Sequence, residues 1–269
     1  AFGIVTALGD GVTHVSVGQH VVCTPPDGFG NFLTTDARWI MPIPVDSDNE
    51  LNGQAAVGMT MAYATAWQAL VRVARVRQGD RVLIHSAAGG VGLSAVYICL
   101  AKGCDVYCTA SVSKHDFLLN EVEIADGWKV KACFNSRDVN DFVDGIRDIG
   151  GVDVVLNSLA GEAMFATLDL VRPFGRFVEI GKRDQYEHTK LDIAPFLKSI
   201  TYSTAHLDVL MLEHPSLAHT LLLETWQGIR DLKLPPLPTK TFGIGEVRDS
   251  LEYFKTGKHI GKVLVSIDP

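Results

Sequence analysis

The stretch RVLIHSAAGGVGLSAVYICLAK, residues 81–102, decides the fold of this chain. It begins with an apolar run typical of a buried strand, passes through a glycine-rich turn, and continues with a pattern that predicts a helix from Gly92 to Lys102. A strand that leads through such a turn into a helix presents backbone N–H groups and a positive dipole end to a phosphate. We therefore expect a nucleotide-binding turn at this position.

The turn matches the dinucleotide-binding fingerprint GxGxxG with one change. It reads Ala87-x-Gly89-x-x-Gly92, so alanine stands at the first glycine position. Gly89 would let the backbone approach a pyrophosphate, and Gly92 would let the helix pack closely on the strand. A tight turn without a ligand is the alternative interpretation. The predicted cofactor contacts in this turn are Ala88, Gly89, Gly90, Val91 and Gly92.

Strands and helices alternate beyond this turn. Apolar strands are predicted at DVYCTA, KACFNS, VDVVLNSL and GRFVEIG, with a last strand near residues 200–205. Helices are predicted near residues 114–119, 139–149 and 163–170. Apolar strands that alternate with helices are typical of a parallel sheet covered on both faces. The sequence therefore predicts an α/β fold with a doubly wound, Rossmann-type sheet.

The two ends of the chain have a different, β-rich pattern. Short β-type runs at residues 3–7, 19–23, 32–35 and 39–43 are separated by Gly and Pro. After a helix near 217–232 and the proline-broken LKLPPLPT, a strand, a short helix near 246–256 and the strand KVLVSI follow. We predict a partial substrate domain at residues 1–53, a nucleotide-binding domain at 54–230, and a return to the substrate domain at 231–269. Because residue 1 is not Met and the chain opens in a strand-like run, we expect it to be a piece of a longer chain.

Composition excludes several classes of function. The 269 residues carry a net charge of −7 and no run of Lys or Arg, which argues against nucleic-acid binding. No apolar stretch is long enough to cross a membrane, and the five cysteines lie mostly in apolar segments, as in cytoplasmic proteins. No Cys and His set has the spacing of a zinc site, so we expect no metal, and no G-x-S-x-G motif follows a strand.

The segment after the second predicted strand bears on the choice between NAD and NADP. An acidic residue about 20 positions after the glycine-rich turn would bind the ribose 2′-hydroxyl and repel a 2′-phosphate. At this position the chain instead has three hydroxyl side chains and one cationic side chain, Thr109, Ser111, Ser113 and Lys114. We therefore expect NADPH, bound by Thr109, Ser111 and Lys114. The alternative is that the serines cap the next helix and that Lys114 is solvated.

Six motifs together resemble one family. HSAAGGVG, TAS followed by Lys114, FNSRD, VDVVLNSLAGE, GRFVEIGKRD and GKHIGKVLV look like the enoyl reductase domain of polyketide synthases and animal fatty acid synthase. That domain is a zinc-free branch of the medium-chain dehydrogenase/reductase superfamily. The resemblance runs from about Gly3 to Val265. It implies a Rossmann domain inserted in a GroES-like substrate domain, and it implies that the N-terminal part of this substrate domain is missing from the chain.

The resemblance also implies a reaction and its partners. NADPH would reduce the 2,3 double bond of a 2-enoyl thioester held on an acyl carrier protein, with hydride added at the β-carbon and a proton at the α-carbon. The expected partners are that carrier protein, other domains of the same iterative polyketide or fatty acid synthase, and a second copy of the chain. A tyrosine proposed as the proton donor in some members would lie in the part of the substrate domain that we expect to be missing.

The resemblance assigns the catalytic roles to Lys182 and Asp208. Lys182 stands in IGKRD at the end of a predicted strand and would stabilise the enolate or donate the proton. Asp208 would orient Lys182 or relay a proton through water, with His206 as the runner-up. A strand-end salt bridge is the alternative for Lys182. Further cofactor contacts are expected from Arg137, Asn157, Ser158, Leu159, Gly181 and Lys262, and less from Lys258.

Two further polar residues lie in apolar segments. His85 and Tyr63 are expected to be packed residues rather than catalytic ones. A free-standing NADPH quinone or enone reductase is the second functional interpretation, since it shares the AAGGVG and GKVLV features. A non-catalytic reductase-like module of a large synthase is the third. Cofactor affinity would separate this last function from the other two.

Overall fold

The structure is a computed structural model that describes residues 1–25, 28–43, 53–124 and 127–267. The chain divides into two compact units. The first comprises Ala1–Ala64 and Leu207–Pro269, and the second comprises Thr65–His206. The glycine-rich turn lies in the second unit. We call the two parts the terminal unit and the central unit.

The N-terminal part of the terminal unit is a small antiparallel sheet followed by a helix. Its strands are β1 (Phe2–Ile4), β2 (His20–Cys23) and β3 (Ile40–Pro42), in the order β1-β2-β3. Helix α1 (Gly53–Trp67) begins in this unit and continues into a π-helical turn over Gln68–Val73, which belongs to the central unit. The strand predicted at residues 32–35 is wrong. Phe32–Thr35 pairs with no strand in the described part of the chain, and the Phe32 side chain is 84% exposed, so no apolar face exists there to be buried.

The central unit is built on one parallel sheet. Its elements in chain order are β4 (Arg81–Ile84), α2 (Gly90–Ala101), β5 (Asp105–Ala110), β6 (Ala132–Asn135), α3 (Val139–Asp148), β7 (Val152–Asn157), α4 (Glu162–Asp169), β8 (Val171–Glu179), α5 (Arg183–Tyr186) and β9 (Thr201–Thr204). The strand order is β6-β5-β4-β7-β8-β9, and every adjacent pair is parallel. The order reverses between β4 and β7, so right-handed crossovers place helices on both faces. The predicted doubly wound α/β fold is confirmed.

The predicted elements of the central unit agree with the structure except in one place. The segment near residues 114–119, predicted as a helix, forms a 3₁₀ turn at Val112–Lys114 and a π-helical turn at Phe117–Glu121. Leu118 is the single buried side chain of the turn Phe117–Glu121. Packing against the sheet therefore contributes too little free energy to stabilise a longer helix. Helix α2, by contrast, is buried at every position from Gly92 to Leu100. It is therefore apolar all round, as expected for a helix in the centre of a domain.

The C-terminal part of the chain completes the terminal unit. It contains α6 (Leu207–Glu213), α7 (Pro215–Asp231), β10 (Thr239–Gly243), α8 (Val247–Lys255) and β11 (Lys262–Ser266). Strands β10 and β11 pair in parallel. Closing strands were predicted here, and both are present. The GroES-like character of this unit is only partly indicated, by its short strands.

The compact units divide the chain at different residues from the predicted domains. Residues 54–64 and 207–230 group with the terminal unit rather than with the nucleotide-binding region. The contacts explain this grouping: the Tyr63 hydroxyl on α1 donates to the Pro235 carbonyl at 2.7 Å, and His219 Nδ1 on α7 lies 2.9 Å from the Arg38 carbonyl oxygen. Tyr63 is fully buried, as expected of a packed residue.

Gly92 is the residue at which α2 packs closest to the glycine-rich turn. A Cβ at Gly92 would lie 2.3 Å from the Ser86 carbonyl oxygen and 2.7 Å from the Ala87 Cα, which are backbone atoms that cannot move aside cheaply. We expect Gly92→Ala to lower the free energy of unfolding by about 1–3 kcal/mol through overpacking. Urea denaturation followed by far-UV circular dichroism measures this loss.

The matched control for this prediction is Gly89→Ala, three residues earlier in the same turn. A Cβ at Gly89 would lie 3.4 Å from the Ser86 carbonyl oxygen, which is ordinary contact. Because Gly89 is the N-cap of α2, we expect a loss of less than about 1 kcal/mol from the poorer cap. Equal losses for the two variants would contradict the close helix–strand contact at Gly92.

Candidate functional site

The glycine-rich turn lies at the reversal of the sheet. Strand β4 ends at Ile84, and α2 begins at Gly90. Its neighbour across the reversal, β7, ends at Asn157, and the next residue, Ser158, donates from Oγ to the Ser86 Oγ at 2.9 Å. In open parallel sheets, ligands bind in the crevice at the carboxyl ends of the strands where the order reverses. The structure therefore brings the predicted turn and the predicted contact Ser158 together at that crevice.

The backbone of the turn explains why alanine is accepted at the first glycine position. The left-handed conformation in this turn belongs to Ser86, with a φ of 54°, and not to residue 87. Ala87 is fully buried, and its N–H donates to the Thr109 carbonyl at 3.0 Å. A methyl group therefore fits at position 87 without the strain that a positive φ would cause. The changed fingerprint is compatible with nucleotide binding.

The N-terminus of α2 supplies the donors for a phosphate. Gly89 is its N-cap and accepts from the Leu93 N–H at 2.8 Å. Gly89, Gly90 and Val91 are partly exposed, and the first turn of α2 contains no acidic residue. The free N–H groups of a first helical turn and the positive dipole end favour a phosphate. The residues present thus fit the pyrophosphate of a dinucleotide.

His85 and Thr109 form a buried hydrogen-bond chain beneath the turn. Thr167 Oγ1 donates to the Ala163 carbonyl, so it accepts from His85 Nε2–H at 3.0 Å, and Thr109 Oγ1 donates to His85 Nδ1 at 2.9 Å. Burial lowers the pKa of His85 to about 3, so this histidine is neutral. His85 is therefore a packed residue, as the sequence analysis expected.

Thr109 is placed differently from its prediction as a cofactor contact. Its side chain is fully buried, and its hydroxyl is used by His85. Cys108, Thr109 and Ala110 at the end of β5 are all buried, so position 109 lies in the core. The structure therefore does not bring the Thr109 side chain to the crevice. Only its backbone takes part in the turn, through the bond from Ala87.

Lys114 and Arg137 lie near each other beyond the carboxyl ends of β5 and β6. The two strands are paired with Ala110 opposite Asn135, so the turns that follow them are neighbours. Burial lowers the pKa of Lys114, and the positive charge of Arg137 lowers it further. In the same turn, the Ser111 and Ser113 hydroxyls lie 3.4 Å apart. Two cations beside hydroxyl groups form a site that suits a phosphate.

The capping alternative for the serines receives little support. Ser111 is the N-cap of the 3₁₀ turn Val112–Lys114, with extended backbone angles. Within the described residues, however, its side chain makes no hydrogen bond to the backbone of that turn. The Ser111 hydroxyl lies near the Ser113 hydroxyl of that turn and does not cap its backbone.

A second group of predicted residues surrounds a cavity of about 360 Å³ at the carboxyl end of β8. Lys182 directly precedes α5 and is half-buried. The cavity brings this predicted catalytic residue together with three of the predicted cofactor contacts. Its lining residues are Ser158, Leu159, Ala160, Glu179, Gly181, Lys182, Arg183, Asp184, Gln185 and Tyr202.

Glu179 in this cavity was missed by the sequence analysis. It is the last residue of β8 and is only 3% exposed. Its Oε2 accepts from Asn157 Nδ2, and its Oε1 accepts from the Gly181 N–H. Burial raises the pKa of Glu179 to about 7, and the negative charge of Asp184 adds to that rise, against the hydrogen bonds from Asn157 and the backbone. The only signal in the sequence was a carboxylate within an apolar strand, FVEIG.

The remaining predicted residues lie near the cavity or in the terminal unit. His206 Nε2 is 2.9 Å from Gln185 Oε1, so this runner-up residue contacts the wall of the cavity. Asp208 is exposed in the first turn of α6, and its pairing with Lys182 stays a prediction. Lys262 opens β11, and burial lowers its pKa. Its cofactor contact and that of Lys258 stay predictions as well.

Comparison with known proteins identifies relatives of the whole chain. Residues 128–265 match the family model described as zinc-binding dehydrogenase. A phenolphthiocerol/phthiocerol polyketide synthase of Mycobacterium tuberculosis is 40% identical over 269 residues, which cover 98% of this chain. The chain spans only 12% of the length of that synthase.

Solved structures of enoyl reductases also match this chain. The crystal structure of CurK enoyl reductase has a TM-score of 0.83 and 34% identity, and the match covers 98% of this chain and 77% of that one. The nucleotide-binding subdomain of the enoylreductase domain of PpsC from Mycobacterium tuberculosis has a TM-score of 0.60 and 40% identity. That match covers 66% of this chain and 98% of the subdomain.

The description of the family model raises the question of zinc. In residues 1–25, 28–43, 53–124 and 127–267, no group of three His, Cys, Asp or Glu side chains is placed to hold a metal ion. Burial raises the pKa of the Cys108 thiol, and it raises that of Cys133 to about 12, which disfavours the thiolate that zinc binds. The described residues therefore do not fit a zinc centre. Over the same ranges, no helix is both long and apolar enough to cross a membrane.

The buried histidine below the turn gives a prediction about pH. Because the pKa of His85 is lowered from 6.5 to about 3, the unfolded chain binds a proton here more readily than the folded one does. The stability from His85 is therefore complete above pH 6.5 and is lost as the pH falls towards 3. We expect His85→Gln to lose less of its free energy of unfolding than the wild type between pH 6.5 and 4. Urea denaturation at each pH measures this, with the exposed His214→Gln as control. Parallel curves for His85→Gln and the wild type would contradict it.

Proposed function

This chain belongs to the enoyl reductases of polyketide synthases, within the medium-chain dehydrogenase/reductase superfamily, and on that premise we propose that it reduces 2-enoyl thioesters with NADPH. The coarser statement, that the chain is an oxidoreductase of a family that uses a nicotinamide cofactor, follows from that membership. The proposal adds the identity of the cofactor, the substrate and the residues that act on them.

One observation carries the proposal. The glycine-rich turn and the Lys182 cavity lie at the same edge of one parallel sheet, and Ser158 belongs to both. A cofactor bound with its pyrophosphate at the N-terminus of α2 would extend along this edge. A cation at the end of β8 is then in the region where reduction takes place. The alternative, a tight turn that binds no ligand, gives no reason for Ser158 to contact the turn and also line the cavity.

The pair Lys114 and Arg137 supports NADPH over NADH. The positive charge of Arg137 acts on Lys114, so the two cations lie close enough to bind one anion together, and the 2′-phosphate of NADPH would be such an anion. Ser111, in the same turn, offers a hydroxyl to that phosphate. The Thr109 side chain is not among the proposed contacts, because its hydroxyl is hydrogen-bonded to His85.

The chain's own residues would act as follows. The backbone N–H groups at the N-terminus of α2 bind the pyrophosphate, and Lys114 and Arg137 hold the 2′-phosphate. NADPH, when bound, supplies a hydride to the β-carbon. The Lys182 ammonium then stabilises the negative charge on the thioester oxygen, a type of interaction worth about 3 kcal/mol. The α-carbon then takes a proton from the Lys182 ammonium or from a water that Asp208 orients, with Asp208 as the proposed polar partner of Lys182.

The proposed partners follow from the relatives. The matching proteins are large synthases, so we propose that this chain works beside other domains of such a synthase in the cytoplasm. The substrate would arrive as a thioester on an acyl carrier protein, and a second copy of the chain is a further proposed partner. A free-standing quinone reductase and a non-catalytic module are the competing functions.

Replacement of Lys182 tests the reaction directly. We expect Lys182→Ala to lower kcat for a short 2-enoyl pantetheine thioester about 100-fold, because the charge on the thioester oxygen loses its counter-charge. The dissociation constant of NADPH should change less than threefold, since the pyrophosphate contacts remain. NADPH oxidation followed at 340 nm and cofactor fluorescence give the two values. The control is Lys190→Ala, an exposed lysine of the same segment.

The outcomes separate the three functions. Thioester turnover that is lost in Lys182→Ala but kept in Lys190→Ala supports the enoyl reductase. Turnover of a quinone alone would move the chain to the quinone reductases. NADPH binding without turnover of either substrate would instead indicate a non-catalytic module.

Replacement of the two cations tests the cofactor choice. We expect Lys114→Ala and Arg137→Ala each to raise the dissociation constant of NADPH about 10-fold or more, since a hydrogen bond to a charged group contributes roughly 1.5–3 kcal/mol. The dissociation constant of NADH should stay within about twofold, because NADH lacks the 2′-phosphate. Fluorescence titration with both cofactors measures this. Lys129→Ala, whose ammonium pairs with Glu123 instead, is the control. An equal loss for NADH and NADPH would refute the phosphate site.

A further inference from the structure

Glu179 links the two turns that surround the Lys182 cavity. One turn follows β7 and carries Asn157, whose Nδ2 donates both to Glu179 and to the Leu159 carbonyl at 2.8 Å. The other turn follows β8 and carries Gly181, whose N–H donates to Glu179. Each oxygen of the carboxylate therefore accepts from a different turn. Glu179 is the last residue of β8, so its carboxylate lies where both turns begin.

The turn before Lys182 is held closely to this carboxylate. A Cβ at Gly181 would lie 2.8 Å from Glu179 Oε1, so only glycine brings its N–H this near without a shift. The neighbouring Ile180 N–H donates to the Asn157 carbonyl at 3.0 Å. Farther along, the Asp184 carboxylate accepts from the Gly161 N–H at 2.9 Å. Lys182 thus lies in a segment that is fixed on both sides.

We propose that Glu179 is the positioning residue of the active site: its buried carboxylate fixes the Gly181 turn against Asn157 and thereby sets the place of Lys182 at the carboxyl end of β8. This inference rests on the proposed function, because it matters for turnover only if Lys182 acts in the reduction. The carboxylate acts through Lys182 and through the turn that carries Ser158 and Leu159. It contacts neither substrate nor cofactor in this role.

The charge state of Glu179 adds a dependence on pH. Above about pH 7 the side chain is a carboxylate with two acceptor oxygens for two donors. Below that pH one oxygen carries a proton, which faces an N–H group and loosens one of the two bonds. The groups that face Glu179 are the Asn157 amide of β7, the Gly181 and Ile180 N–H groups, Asp184 of α5 and Tyr202 of β9. The negative charge of Asp184 and the burial of the site both act to raise the pKa of Glu179.

The decisive variant is Glu179→Gln, which keeps the size of the side chain. A glutamine has one carbonyl oxygen for the two donors, so an N–H of Gly181 or Asn157 must face the glutamine NH₂ group. The double variant Glu179→Gln with Asn157→Asp restores a donor and an acceptor between the two turns. It loses the bond from residue 157 to the Leu159 carbonyl, whose oxygen then faces a carboxylate oxygen at position 157. The control is Glu187→Gln, which removes an exposed carboxylate paired with Arg183 at 3.0 Å.

The experiment measures the Gly181 amide by ¹H–¹⁵N NMR against pH, together with kcat for the 2-enoyl pantetheine thioester. In the wild type, we expect the Gly181 resonance to titrate with a midpoint near pH 7 and kcat to fall below that pH. In Glu179→Gln, the titration should disappear, and kcat should fall at least 10-fold and lose its dependence on pH near 7. The double variant should regain at least half of that loss on a logarithmic scale. Glu187→Gln should stay within twofold of the wild type in kcat and keep the titration.

Two results would overturn the inference. One is a Gly181 resonance that titrates unchanged in Glu179→Gln, whatever the turnover. The other is a Glu179→Gln variant with the kcat and the pH profile of the wild type. A wild-type chain without thioester turnover would refute the proposed function alone. The Gly181 titration needs no substrate, so it still supports or overturns the positioning by Glu179.

Discussion

The parallel pairing of the six strands of the central unit is the constraint on which its site depends. In a parallel sheet every strand ends at the same edge, so the residues that follow the strands meet there whatever their distance in sequence. Ser86, Ser111, Arg137, Ser158 and Lys182 come from five different segments and follow five different strands. A change in the direction of one strand would send its residue to the opposite edge. The site is therefore a consequence of topology before it is a consequence of particular side chains.

Two buried titratable groups at this edge, His85 and Glu179, differ in how burial and hydrogen bonds set their charge. His85 has a partner on each ring nitrogen, and both partners suit the neutral form, so burial simply keeps it uncharged. Glu179 also has two donors, and these favour its charged form. For Glu179, however, burial and the nearby Asp184 outweigh the two hydrogen bonds, and its pKa lies near neutrality. His85 thus serves the core, whereas Glu179 is held where a small change in pH alters its charge.

The fold was largely predictable from the sequence, and the site only in part. Continuous apolar strands and the glycine-rich turn predicted the sheet, because these patterns depend on local periodicity. The motif gives the position of Thr109 in the chain but not the bond of its hydroxyl to the buried His85, 24 residues earlier, and its cofactor contact stays a prediction. Glu179 was missed for a related reason. Its partner Asn157 on β7 and its neighbour Tyr202 on β9 are distant in sequence, so the pattern of one strand does not show them.

The replacement of the first fingerprint glycine by Ala87 shows what a motif of this kind requires. The fingerprint assigns the first glycine to a tight turn, but here the left-handed residue is Ser86, and position 87 can carry a methyl group. Gly92 has no such freedom, since any side chain would overlap the Ser86 carbonyl. The constraint that α2 begin close to the end of β4 therefore falls on the third glycine. The positive dipole end of α2 lies near the crevice only if this contact is kept, so we expect Gly92 to support the proposed phosphate binding through packing, besides any contact with the ligand.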